Sequence, residues 1–366
     1  MKLGNPDLIR YIRTEIEKQG PISFARFMHQ ALYHPEHGYY SSGRCAIGRK
    51  GDYFTNVSVG PLFGQLLAAQ FAEMWERLGS VEDFTIMEQG AHDGQFAHDV
   101  LDSVQKRAPE FFAALRYRIV EPFPILQDRQ SRTLERFRDK VEWRDSLQPF
   151  LGVHISNELL DAMPVRLISG NTEKLVDLKD DKFVFVERPI SQQATFQPPA
   201  QRDAFNQEAL DWIDDVAAKL QRGYVVAIDY GRLEDEFQGD VQVRAQHRNL
   251  DSPFERIGHA DITMPVEWPT IIERAQANGL RVAGFTDQHH FLTGIISTWP
   301  DLLQARSGNS TVSNRRVQLA AADRKTKRAL QTLLHPEMLG RAFQVIALEK
   351  NLDRKTPTLA GFKFAH

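Results

Sequence analysis

The sequence predicts a Rossmann-like α/β fold built on a mostly parallel sheet. Short apolar runs recur between helical or inserted segments, as a parallel sheet with covered faces requires. The first of these runs, Phe84 to Met87, leads into Glu88-Gln89-Gly90-Ala91-His92-Asp93-Gly94-Gln95, which reads as a strand, a glycine-bounded turn and a helix start. The second, Tyr117 to Val120, ends in Glu121.

Each element follows from local pattern. Asn5 and Pro6 suit an N-cap and first-turn proline, and Leu8, Ile9, Ile12 and Ile16 then keep helical spacing until Gly20-Pro21. Ser23 starts a second helix that runs through Leu32. From His34 to Ser58 glycine, proline and aromatic residues appear without periodicity, which predicts a long structured loop. Phe63, Leu66, Leu67, Phe71, Met74, Trp75 and Leu78 give an amphipathic helix over Leu62 to Leu78. Strands follow at Phe84 to Met87, Tyr117 to Val120, Val141 to Trp143, Val153 to Ser156 and Tyr224 to Asp229, with two more at Arg281 to Phe285 and Phe343 to Leu348.

Between the fourth and fifth strands, Arg166 to Ile168, Leu175 to Leu178 and Phe183 to Glu187 read as antiparallel strands of an inserted cap, with a turn at Lys179-Asp180-Asp181. A second insert, Arg232 to Pro265, reads as polar and irregular, and Thr298 to Asn314 as a helix and loop excursion. The expected organisation is an N-terminal helical and aromatic-loop extension over 1–80 and a sheet domain over 81–366, with inserts at about 165–220 and 232–265.

Composition removes several classes of function. Lys plus Arg number 45 against 48 for Asp plus Glu, so the net charge of −3 makes no electrostatic case for nucleic acid. The single Cys45 excludes an intrachain disulfide framework, and the histidines lack zinc-finger spacing, so no metal is expected. No stretch approaches the ~20 apolar residues of a membrane span. The N-terminal residues lack an apolar signal core, and a cytoplasmic location is expected.

The chemistry concentrates at strand ends. Gly90 and Gly94 let the backbone pass close to a ligand, and the following helix aims free N–H groups at it. His92 and Asp93 stand where a dinucleotide site needs room for a pyrophosphate, which favours a phosphate-free ligand such as S-adenosylmethionine and disfavours an NAD-dependent oxidoreductase. An acid gripping ribose hydroxyls is expected roughly 20 to 30 residues beyond such a turn. Glu121 meets that expectation. Asp145, after the third strand, suits the adenine amino group or simply an exposed loop.

The fourth strand runs into Asn157-Glu158-Leu159-Leu160-Asp161-Ala162-Met163-Pro164. Methyl transfer needs mainly positioning and electrostatics, and a carboxylate here can hold a guanidinium or amine. Asn157, Glu158 and Asp161 form the candidate catalytic set, although Asp161 alone also suits an N-cap. The corner Ile228-Asp229-Tyr230-Gly231 lies at the end of the next strand, as a candidate lining or a plain turn. His289 and His290 are read as neighbours on an extended segment, pointing to opposite sides, and carry no metal assignment.

Taken together, these stretches resemble the MidA-like family of class I methyltransferases, whose members include an arginine-methylating assembly factor of respiratory complex I. The resemblance runs through Phe27-Met28, Tyr33-His34-Pro35-Glu36-His37-Gly38-Tyr39-Tyr40, Gly51-Asp52-Tyr53-Phe54-Thr55 and Leu62-Phe63-Gly64. It continues through Asn157 to Pro164, Ile228 to Gly231, Asp261-Ile262-Thr263 and Gln288 with Phe291-Leu292. It implies a seven-stranded class I methyltransferase sheet with its last strand antiparallel. The donor site would join the early Gly-Asp loop, including Thr55, to the glycine turn, and the substrate would be a protein, a respiratory-complex subunit being the candidate partner. The chain departs from the family's pattern at Ala91-His92-Asp93, where a glycine-richer turn is usual, and at Asn56-Val57-Ser58-Val59, where an acid usually follows Phe-x-Thr.

Two readings of function follow. One is an S-adenosylmethionine-dependent methyltransferase acting on a protein side chain, with arginine nitrogen the favoured acceptor. Glu88, Gly90, Asp93, Gly94, Glu121, Asp145 and Thr55 would hold the donor. The other is a non-catalytic assembly or binding protein that keeps the fold.

Overall fold

Strand burial organises the main sheet. Phe84–Gln89 (β1) is buried along nearly its whole length, its apolar Phe84, Ile86 and Met87 beside buried Thr85 and Glu88. Helix α1 (Leu62–Arg77) precedes β1, and α2 (Gln95–Arg107) follows the glycine turn. Then come β2 (Leu115–Val120), α3 (Pro124–Thr133), β3 (Val141–Arg144), β4 (Phe150–Asn157), β5 (Leu220–Arg232), β6 (Arg281–Asp287), α4 (Gln288–Thr298), α5 (Arg324–Leu334) and β7 (Phe343–Lys350). The strands follow one hydrogen-bonded path, β6-β7-β5-β4-β1-β2-β3. All neighbours from β5 to β3 are parallel, and β7 alone runs antiparallel between β5 and β6. The seven-strand arrangement expected from the sequence is thus present, last strand reversed.

This computed structural model describes residues 4–45, 55–190, 204–232, 241–303, 322–353 and 357–365. Two units divide the chain. The sheet unit takes Thr55–Glu158, Asp214–Gly231 and Ile272–His366; the other takes Met1–Phe54, Leu159–Ile213 and Arg232–Ile271. The helix of residues 62–77 therefore belongs to the sheet unit, and both inserts join the N-terminal segment.

In the sheet unit, Phe63, Leu66, Leu67 and Phe71 of α1 bury beside Val100 and Leu101 of α2, Ile86 and Tyr117 of the sheet, and Phe291 of α4. Close strand packing sets one glycine: a Cβ on Gly223 of β5 would lie 1.9 Å from the carbonyl oxygen of Gly152 on β4.

The second unit opens with helix Pro6–Gln19, capped by Asn5 Oδ1 accepting from the N–H groups of Asp7 and Leu8, and continues with helix Phe24–Tyr33, capped by Ser23. Strands Arg166–Ser169, Thr172–Lys179 and Lys182–Pro189 form the expected antiparallel insert, with Asp180 and Asp181 at positive φ in the turn. Ile22–Ser23 adds to its edge against Val176 and Leu175. Leu8, Ile12, Phe24, Phe27, Val176 and Phe183 share this unit's core.

Two sequence readings need correction. The stretch from Arg232 to Pro265 is not merely irregular, because Gln242–Ala245 pairs with both Arg248–Asn249 and Asp261–Thr263 in a small antiparallel sheet. His289 and His290 are not on an extended segment. They open α4 behind the N-cap Asp287, whose Oδ1 accepts from the backbone N–H of His290 and lies 2.7 Å from its Nδ1. Residues 51–54 of the Gly-Asp loop, and the excursion at Thr298–Asn314 beyond residue 303, lie outside the described residues. No described helix is long and apolar enough to cross a membrane.

Candidate active site

The registers bring four strand ends to one edge. Gln89 of β1 pairs with Val120 of β2 and with Ser156 of β4, so Gly90 and Glu121, each one residue further, leave the sheet beside Asn157, the last residue of β4. Val120 pairs with Arg144 of β3, which sets Asp145 at the same edge. With strands about 4.8 Å apart, Glu121 and Asn157 leave the sheet roughly 10 Å from each other, with the glycine turn between them.

That turn is held in left-handed conformations. Gly90 has φ 81°, His92 47° and Gly94 79°. Histidine tolerates this region better than most side chains, so His92 keeps the turn at some strain. Gly94 has less latitude, since a Cβ there would meet Leu134 Cδ1 at 3.2 Å and Gln130 Cα at 3.4 Å. The N–H of Gly94 closes the turn on the carbonyl of Ala91 at 2.8 Å, and Asp93 Oδ1 accepts from the N–H of Gln95 at 3.1 Å as α2 begins. An α-helix starting here leaves unsatisfied N–H groups at the sheet edge.

Glu88 and Glu121, both expected to hold the donor, have different surroundings. Glu88 is buried within the sheet, and the hydroxyl of Tyr117 donates to its Oε2 at 2.7 Å. Burial pushes its pKa up to about 8 despite that bond, which keeps the group protonated at neutral pH. Glu121 is also buried, but its carboxylate is organised by the N–H of Phe123 on Oε1 at 3.1 Å and by Gln130 Nε2 on Oε2 at 3.0 Å. Burial raises its pKa, and those two donors and the charge of His92 pull against the rise.

Gln130 escaped the sequence reading. It lies on α3, fully buried, and its Nε2 also donates to the carbonyl of His92 at 3.1 Å while its Oε1 accepts from Trp143 Nε1 at 2.9 Å. One side chain thus ties the glycine turn, the acid of β2 and strand β3 together. The available signal was a polar residue one turn beyond Leu126 on the only buried stripe of α3.

At the end of β4 a second network forms. Glu158 takes φ 55°, and its N–H donates to the carbonyl of Ile228 at 2.9 Å. Its Oε1 accepts from Asn157 Nδ2 at 3.0 Å and from the backbone N–H of Asn56 at 3.1 Å, while Asn56 Nδ2 donates to Asn157 Oδ1 at 3.1 Å. A non-glycine residue in this conformation at a strand end is a form of strain common at functional sites. Asn56 was also missed as a site residue, because only the fold brings it to Glu158.

The remaining candidates separate. Thr55 is buried and exchanges hydrogen bonds with Ser58: its N–H donates to Ser58 Oγ at 2.9 Å, and its Oγ1 accepts from the N–H of Ser58 at 3.2 Å. Asp145 is exposed, with Gln127 Nε2 at 3.4 Å from its Oδ1. Asp161 is buried in the other unit, where its carbonyl accepts from the N–H of Met264 at 2.8 Å. Asp229 is buried and caps the N–H of Tyr230 at 2.8 Å. Among the described residues no cluster of three metal-ligating side chains occurs.

The arrangement suits a nucleoside carrying an amino-acid tail. A carboxylate already oriented by two donors presents acceptors for vicinal hydroxyls, and the glycine turn with the α2 N-terminus offers backbone N–H groups beside it. A separate carboxylate stands two strands away, at β4.

Comparison with known proteins points the same way. The model of an S-adenosyl-L-methionine-dependent methyltransferase family matches residues 66–286. A crystal structure from Burkholderia thailandensis bound to S-adenosyl-homocysteine superposes with a TM-score of 0.83 at 29% identity, covering 99% of this chain and 97% of that one. The human mitochondrial protein arginine methyltransferase NDUFAF7 is 25% identical over 93% of this chain and 83% of its own length. Its Drosophila melanogaster homologue is 25% identical over 79% of this chain and 75% of its own.

Proposed function

Because the chain belongs to the S-adenosyl-L-methionine-dependent methyltransferase family and so takes that molecule as methyl donor, we propose that it methylates a nitrogen on a protein side chain, arginine being the favoured acceptor. One observation carries this reading: the Glu158 carboxylate, fixed by Asn56 and Asn157 at the end of β4, offers negative charge at the edge that also holds the donor-type turn. A cationic or N–H-bearing acceptor gains from that charge, and an anionic oxygen acceptor is repelled. The names of the human and Drosophila relatives support an arginine acceptor.

The residues divide the work. Glu121 would bind the ribose hydroxyls, with Gln130 and the Phe123 N–H fixing its rotamer. The N–H groups of the turn and of α2 would take the polar tail. Glu158 would orient the acceptor nitrogen and stabilise positive charge on it. When bound, the donor supplies an electrophilic methyl group on a sulfonium, and positioning by these side chains supplies the rest of the catalysis.

The test is mass spectrometry of protein substrates. Cell extract would be incubated with isotopically labelled S-adenosylmethionine and the wild-type chain or Glu158→Gln. Label on arginine side chains with the wild type, and its loss with the variant, is the expected result. Label confined to carboxylates or hydroxyls would refute the nitrogen assignment.

A further inference from the structure

Asn56 is fully enclosed, and half of its amide lacks a partner. Nδ2 donates to Asn157 Oδ1 at 3.1 Å, but among the described residues no donor reaches Asn56 Oδ1. The orientation is dictated by the carboxylate. Glu158 Oε1 needs donors, so Asn157 turns its NH₂ toward it at 3.0 Å and its own oxygen away. That oxygen in turn takes the NH₂ of Asn56, which leaves the Asn56 oxygen as the free end of the chain. Flipping either amide would set two oxygens against each other. A buried acceptor without a donor is rare in folded proteins, and at a substrate-facing strand end a ligand's N–H is one group that can supply the donor.

We propose that Asn56 Oδ1 accepts a hydrogen bond from an N–H of the methyl-accepting nitrogen, which makes Asn56 a specificity residue for N–H nucleophiles. The inference rests on the donor-site reading above. A nitrogen acceptor can satisfy the orphan carbonyl with one N–H while its lone pair remains available for methylation. A carboxylate or phenolate has no donor to give, and would confront both the Asn56 carbonyl and the Glu158 charge.

The test needs no identified substrate. S-adenosylhomocysteine lacks any group at the methyl position, whereas sinefungin carries an ammonium there. Calorimetric titration of both into wild type, Asn56→Ala and Asn56→Ser reads the difference directly, with melting curves confirming that each variant folds. Sinefungin should bind the wild type on the order of tenfold more tightly than S-adenosylhomocysteine, in keeping with one hydrogen bond to a charged group. Asn56→Ala should remove most of that preference, leaving what the Glu158 charge supplies, with the affinity for S-adenosylhomocysteine nearly unchanged. Asn56→Ser, which keeps a hydroxyl oxygen, should retain part of the preference and also serves if the alanine variant fails to fold.

An unchanged preference in the variants would overturn the proposal, as would equal binding of the two ligands by the wild type. Equal weakening of both ligands would show that Asn56 supports only the loop or the donor's own ammonium, and would overturn it too. If the wild type binds neither ligand, the donor-site reading fails first and takes this inference with it.

Discussion

Replacing Gln130 with leucine tests whether one buried amide holds the donor side of the site together. Leucine is close to glutamine in size, so little cavity forms and the loss is mainly polar. Three groups lose a partner: Glu121 Oε2 at 3.0 Å, the His92 carbonyl at 3.1 Å and the Trp143 indole N–H at 2.9 Å. A buried polar group left unsatisfied costs about 1–3 kcal/mol. Glu121 keeps the Phe123 N–H and Trp143 is only partly buried, so the low end applies to each, and the sum is about 3 kcal/mol. S-adenosylhomocysteine affinity should fall as well, by roughly tenfold, because Glu121 loses one of the two donors that orient it. Chemical denaturation and calorimetry of wild type and Gln130→Leu measure both quantities. A variant with wild-type midpoint and wild-type affinity would show that the network contributes nothing.

Other consequences are equally direct. Gly94→Ala forces a side chain into φ 79° against Leu134 and Gln130, and should cost about 1–2 kcal/mol together with donor affinity; unaltered melting would contradict the turn geometry. His92→Gly relieves a residue at φ 47°, but glycine's extra unfolded-state entropy offsets the gain, so stability should stay within about 1 kcal/mol of wild type and S-adenosylhomocysteine should still bind. A strong gain in affinity would mean that the imidazole obstructs the donor.

Glu88 gives a pH signature. Its folded-state pKa of about 8 lies above the ordinary value of 4.5, so its contribution to stability is complete below the latter and is lost as pH rises through the former. Glu88→Gln should therefore lose less stability than wild type between about pH 5 and about pH 9, as followed by denaturant midpoints. Parallel losses would place a different group behind the wild-type trend.

The strands were legible because burial leaves its mark on composition: Phe84 to Met87 and Val153 to Ser156 carry no charged carboxylate, lysine or arginine, and parallel pairing follows from the elements between them. Gly90, Gly94 and Glu121 were legible for a related reason, since backbone conformation and strand ends tie those residue types to fixed places. Asn56 was not, because its role arises from a contact with Glu158 across 102 positions of sequence. Gln130 looked like an ordinary helical glutamine until Glu121, His92 and Trp143 surrounded it. The histidine pair was misread because Asp287 caps a helix that begins at Gln288. The way in which residues 4–45 join both inserts was hidden for the same reason as Asn56: pairs such as Ile22 with Val176 are set by tertiary packing, not by local pattern.

The central claim is that the edge formed by Glu121, the glycine turn and the start of α2 binds the methyl donor. Calorimetric titration of S-adenosylhomocysteine into wild type and Glu121→Ala addresses it most directly. The wild type should bind with a measurable heat, and the variant should lose about 1.5–3 kcal/mol of affinity through the missing hydrogen bonds to a charged group. Absence of heat with the wild type at high ligand concentration, or equal affinity in the two proteins, would contradict the account.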